Sequence, residues 1–114
     1  MNKLELIIKN LNDKQAKDII ALNMEEVSPL FDVFVICSAS NVRLMQAMKD
    51  HVEDQLEENG FFVKKVEGKK ESTWTLMDYG DIIVHIFDEE ERGKYLIEKL
   101  WGDVPRIDIS NLLD

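Results

Sequence analysis

The chain holds a single cysteine, Cys37, so no disulfide can close within it and no metal site can be built on several thiolates. Basic residues are scarce beside acidic ones: 14 Lys and Arg stand against 23 Asp and Glu, a net charge of −9. Such a surface repels phosphate backbones, which excludes non-specific nucleic-acid binding through a basic face. It speeds encounter with a basic protein, such as one that itself sits on nucleic acid. No apolar run approaches the roughly 20 residues that cross a bilayer. Met1–Asn12 is amphipathic and lacks the apolar segment of a signal peptide. These absences predict a soluble, cytoplasmic protein with no membrane partner. There is also no Walker loop, no Gly-x-Gly-x-x-Gly and no His-Glu-x-x-His.

What is present suits one domain, 1–114, around one core. The hydrophobic share of 45% is ordinary for a globular chain. No internal repeat, low-complexity segment or linker divides it. The most informative stretch is Trp74–Phe87, which predicts a β-hairpin. Its arms are Ser72–Met77 and Ile82–Phe87, joined by Asp78-Tyr79-Gly80-Asp81, with Gly where a turn takes positive φ. The second arm is apolar apart from His85, as an inner strand is.

Leu4, Ile7, Ile8 and Leu11 recur at helical spacing and predict a helix over Lys3–Leu11. Ile19–Met24 and Asp32–Cys37 read as strands. Ser40 or Asn41 caps a second helix, with Met45, Met48, Val52 and Leu56 on one stripe and Asn59-Gly60 closing it. Phe61–Val66 reads as a third strand by alternation, and Glu67–Glu71 as a charged link. Asp88 opens a last helix, with Glu89, Glu90 and Glu91 at the positive end of its dipole and Leu96, Ile97, Leu100 and Trp101 as its apolar stripe. In the tail, Ile107, Ile109, Leu112 and Leu113 are available to pack back. The fold class is therefore α+β, or mixed α/β: about five strands and three helices. Trp74 and Leu76 share one face of the hairpin. Ile83, His85 and Phe87 share one face of its second arm. Three short helices leave one sheet face partly bare, which is the form of a protein-binding surface.

Each candidate residue carries two readings. Trp74 and Leu76 are either core or anchors for a partner. Asp78 and Asp81 are either turn residues bonding their own backbone or polar contacts. His85 is a buried histidine or a ligand. A metal site on Asp81, His85 and Asp88 is weak, because residues four apart on a strand begin ~13 Å apart at Cα. Cys37 with His51 or His85 is a poor nucleophile–base pair, since a cysteine ending an apolar strand is usually inert. Ser38-Ala39-Ser40 is an anion site or, more simply, a helix cap. Arg92 and Tyr95 share a helix side, either as contacts or as a solvated face.

The run Trp74-x-Leu76-x-Asp78-Tyr79-Gly80-Asp81-Ile82-x-Val84-His85-Ile86-Phe87, followed by Arg92, Tyr95 and Leu100-Trp101, resembles the ribosomal silencing factor (Iojap-like) family. Asp32-x-Phe34-Val35-Ile36-Cys37-Ser38, Ser40 and Glu67-Gly68 fit the same pattern, so the resemblance covers nearly the whole chain. Relatives commonly carry Gly where this chain has Ala39. The resemblance implies a non-enzyme without cofactor or metal. It implies binding to large-subunit ribosomal protein number fourteen and steric blocking of subunit association, with no direct nucleic-acid readout and with homodimers possible. It implies a fold similar to the nucleotidyltransferase superfamily without that superfamily's carboxylate pair, since no Asp-x-Asp or Asp-x-Glu lies in a strand. Partner contacts are then expected from Trp74, Leu76, Asp78, Tyr79, Asp81, His85, Arg92 and Tyr95. A nucleotidyltransferase-fold enzyme and a homodimeric scaffold are the rival readings.

Overall fold

The computed structural model describes residues 1–68, 71–95 and 102–113, the Tyr95 side chain excepted. The elements run α1 (Lys3–Asp13), β1 (Lys17–Asn23), β2 (Val33–Ala39), α2 (Val42–Glu58), β3 (Lys65–Glu67), β4 (Trp74–Asp78), β5 (Ile82–Asp88) and α3 (Glu89–Tyr95), then a 3-10 turn, Ser110–Leu112. The strands form one sheet in the order β1-β2-β5-β4-β3. Only the central β2–β5 pair is parallel, and the other pairs are antiparallel. The apolar β5 thus sits inside the sheet, flanked on both sides.

Both long helices are fixed by their caps and their stripes. Asn2 closes a capping box with Glu5, and Asn41 accepts from the Leu44 N–H. Ile7, Ile8 and Leu11 of α1, with Met45, Met48, Val52 and Leu56 of α2, bury themselves against Val35, Cys37, Met77, Val84 and Ile86 of the sheet. Each such side chain contributes about 1.5–3 kcal/mol by leaving water. Ile109 joins this core from the tail, with Ile107 and Leu112 packed beside it, while Leu113 is exposed.

Three features differ from the sequence expectation. The third strand is short, Lys65–Glu67, rather than Phe61–Val66. Gly60 takes φ +85° and the Phe61 N–H returns to the Leu56 carbonyl, so the residues after the helix still belong to its cap. Phe62 is 68% exposed. Strand β1 begins earlier, at Lys17, through an irregularity in register before Ile20, with Asp18 at φ +50°.

The second sheet face is also less bare than expected. A second cluster of Leu22, Met24, Ile36, Phe87 and Val104 is buried there. Val104 comes from the tail, which then runs along the outer edge of β1. The Asn23 N–H donates to the Pro105 carbonyl, and the Ile107 N–H to the Ala21 carbonyl. Among the described residues, the grooved part of this face lies along β4 and β3. The predicted stripe Leu96, Ile97, Leu100 and Trp101 lies outside the described residues.

Candidate protein-docking face

Alternation along β4 sends Thr75 and Met77 toward the helices and Trp74, Leu76 and Asp78 to the opposite face. Register sets Trp74 against Phe87, Leu76 against His85 and Asp78 against Ile83. Trp74 is half-buried and stacks on Phe87, with centroids 4.9 Å apart and planes at 28°. Its indole Nε1–H donates to Nδ1 of His85 at 3.2 Å. His85 is 4% exposed, and burial pushes its pKa down to about 4. The ring is therefore neutral at physiological pH. Phe34 stands edge to face with it at 4.8 Å, and Phe31 is tilted against Phe34 at 5.7 Å.

These rings wall a groove of about 290 Å³ between Phe31, Phe34, Leu76, Ile83 and His85, with Lys65, Glu67 and Asp78 at its polar margin. A second groove of about 420 Å³ runs past Gly68, Ser72, Thr73 and Trp74, and shares Glu67 and Leu76 with the first. Leu76 is the ridge between the two. An apolar floor with a charged rim is the usual anatomy of a protein-binding patch.

The other expected contacts are placed elsewhere. Tyr79 is turned inward: it is 4% exposed and joins the core beneath the helices. Burial, then the charges of Glu53 and Glu57, raise the pKa of its hydroxyl. Its ring therefore cannot act as a surface contact with Trp74. Asp81 is tied to α1, where Lys3 reaches its carboxylate at 2.5 Å and also donates to the Tyr79 carbonyl at 3.0 Å. Burial alone would raise the Asp81 pKa, but the hydrogen bond and charge of Lys3 hold it below the ordinary value. Arg92 is 8% exposed and donates to the Lys17 carbonyl and the Ser38 hydroxyl, so it fastens α3 to the sheet. The Tyr95 side chain lies outside the described residues. Asp78 spends one carboxylate oxygen on the Gly80 N–H at 2.7 Å, yet stays half-buried at the groove margin. The expected face thus gathers Trp74, Leu76, Asp78 and His85, and adds Phe31 and Phe34.

Alternation along β2 sends Cys37 toward the helices, on the opposite side of the sheet from His85. Burial pushes its thiol pKa up to about 12, so a Cys37–His85 dyad is excluded by geometry and by thiolate supply. Among the described residues no three His, Cys, Asp or Glu side chains cluster to hold a metal ion. No helix among them is long and apolar enough to cross a membrane.

Fold and face together define a small α+β protein whose sheet carries a grooved, aromatic-lined face. Residues 1–114 match the family described as ribosomal silencing factor during starvation, RsfS. The chain is 44% identical over 107 residues to ribosomal silencing factor RsfS of Bacillus subtilis, an alignment covering 94% of this chain and 91% of that one. It is 36% identical over 110 residues to RsfS of Halalkalibacterium halodurans, covering 96% and 94%. A crystal structure from Bacillus halodurans superposes with a TM-score of 0.82 at 35% identity, covering 93% of this chain and 96% of that one. The chain belongs to the ribosomal silencing factor family.

Proposed function

We propose that this protein acts in the cytoplasm by binding the large ribosomal subunit through ribosomal protein number fourteen, and that its bulk there keeps the small subunit from joining. The observation that carries the reading is Trp74. It is a half-exposed tryptophan already locked by stacking on Phe87 and by its bond to His85. An anchor ordered before binding loses little side-chain entropy when a partner covers it. The net charge of −9 supports a basic protein as partner, and turns the domain away from the surrounding rRNA phosphates. Lys65, Glu67 and Asp78 at the rim supply polar contacts around an apolar centre. The mechanism is occlusion, so it needs no catalytic group.

The test is a sucrose gradient of purified subunits with and without the protein. The protein is expected to travel with large subunits and to lower the yield of joined ribosomes. Trp74→Ala and Asp78→Ala each weaken co-sedimentation while the circular dichroism spectrum stays unchanged. If the wild-type protein neither pellets with large subunits nor lowers that yield, the reading is lost. If Trp74→Ala unfolds the domain, Trp74 belongs to the core instead.

A further inference from the structure

His85 carries one polar atom that the described residues leave unused. Its Nδ1 accepts from the indole of Trp74, so the proton of the neutral ring sits on Nε2. That Nε2–H is buried and has no hydrogen-bond partner among the described residues. A buried donor without an acceptor destabilises the free protein, whereas an apolar ring of similar shape would not. A buried unpaired donor in a native protein calls for an explanation, and a group brought from outside the chain supplies one. His85 lines the groove walled by Phe31, Phe34, Leu76 and Ile83. Phe34 stands edge to face with the imidazole at 4.8 Å on the wall of the same groove.

Three chemistries compete for such a donor. A Lys or Arg tip offers only donors and cannot accept from Nε2–H. A carboxylate or phosphate meets a domain with net charge −9 and is repelled. A neutral oxygen has neither fault.

We propose that the groove lined by Phe34 and His85 receives a neutral oxygen of the protein partner, a backbone carbonyl or a hydroxyl, and that the Nε2–H of His85 donates to it. Trp74 then has two tasks: its ring anchors, and its Nε1–H fixes the tautomer that leaves Nε2 able to donate. This rests on the docking reading above and names the polar contact that makes the docking selective.

The experiment measures equilibrium pelleting with purified large subunits for the wild type, His85→Phe, His85→Met and His85→Gln. The phenylalanine and methionine variants lack a donor. They are expected to bind at least about tenfold more weakly, the usual cost of a lost buried hydrogen bond. Their melting temperatures equal or exceed that of the wild type. Glutamine accepts from Trp74 through its amide oxygen and donates through its amide nitrogen, so it holds affinity within about threefold. Wild-type affinity in the donor-free variants overturns the proposal, as does an equal loss with glutamine. Unfolding of both donor-free variants overturns it too, because His85 would then serve the fold. A wild-type protein that does not pellet brings down the docking reading and this proposal together, whereas the other outcomes strike the proposal alone.

Discussion

The indole of Trp74 and the imidazole of His85 are joined across two antiparallel strands, Nε1–H to Nδ1, at 3.2 Å. The bond requires an unprotonated Nδ1, and burial already holds the His85 pKa down from 6.5 to about 4. A folded histidine with a depressed pKa binds protons less readily than the unfolded chain does. Its contribution is therefore intact above about pH 6.5, declines as the pH falls toward about 4, and is constant below that. At 1.36 kcal/mol per pKa unit, the full loss is on the order of 3 kcal/mol. Urea unfolding of the wild type and His85→Gln between these limits measures it. The variant should show a flatter profile, and parallel profiles would remove His85 as the cause.

Two glycines should respond to alanine with opposite sign. Gly68 has φ +112°, and a Cβ there would lie 2.8 Å from the Trp74 carbonyl oxygen and 3.1 Å from Thr75 Cα. Both neighbours are β4 backbone and cannot yield cheaply. Gly68→Ala should cost roughly 1–3 kcal/mol through strain and displacement of β4. Gly93 lies in α3, where a Cβ meets nothing within 4 Å. Gly93→Ala should stabilise by about 0.5–1 kcal/mol, the helix-propensity difference. Thermal unfolding of the two variants decides both signs.

Lys3 joins the first helix to the hairpin turn through Asp81 and the Tyr79 carbonyl. The Asp81 side chain is half exposed, so Lys3→Met should cost only about 0.5–1 kcal/mol. The more telling readout is the Asp81 titration followed by NMR. Without the Lys3 hydrogen bond and charge, its midpoint should move up. An unmoved midpoint would mean that the remaining backbone bond and the charge of Lys64 suffice.

Cys37 should not react with a thiol reagent in the native state, because it is fully buried and its thiol is pushed up to about 12. Labelling should then track global unfolding in denaturant. Labelling well below the unfolding midpoint would reveal a local opening of β2.

The sequence made legible whatever repeats with a period. Met45, Met48, Val52 and Leu56 declared the buried stripe of α2, and alternation sorted Trp74 and Leu76 from Thr75 and Met77. What it hid has no period. Alternation over Phe61–Val66 resembles a strand, but the cap at Gly60 governs the residues just after it. Tyr79 sits in a turn, where spacing does not tell inside from outside. Spacing gave the shared side of Arg92 and Tyr95 but not its direction, and Arg92 points into the sheet. Phe31 precedes its strand, so no pattern marked it as a groove wall. Val104 and Pro105 cover β1 from the far end of the chain, a pairing that no local window contains.

That last pairing sets an order of events during synthesis. β1 leaves the exit tunnel well before 105–107, yet its outer edge is sealed only when they follow. Until then the nascent chain carries an unpaired strand edge, the kind of template that invites adhesion between neighbouring chains on a polysome. The edge of β1 becomes safe to crowd only once 105–107 have been made and laid against it.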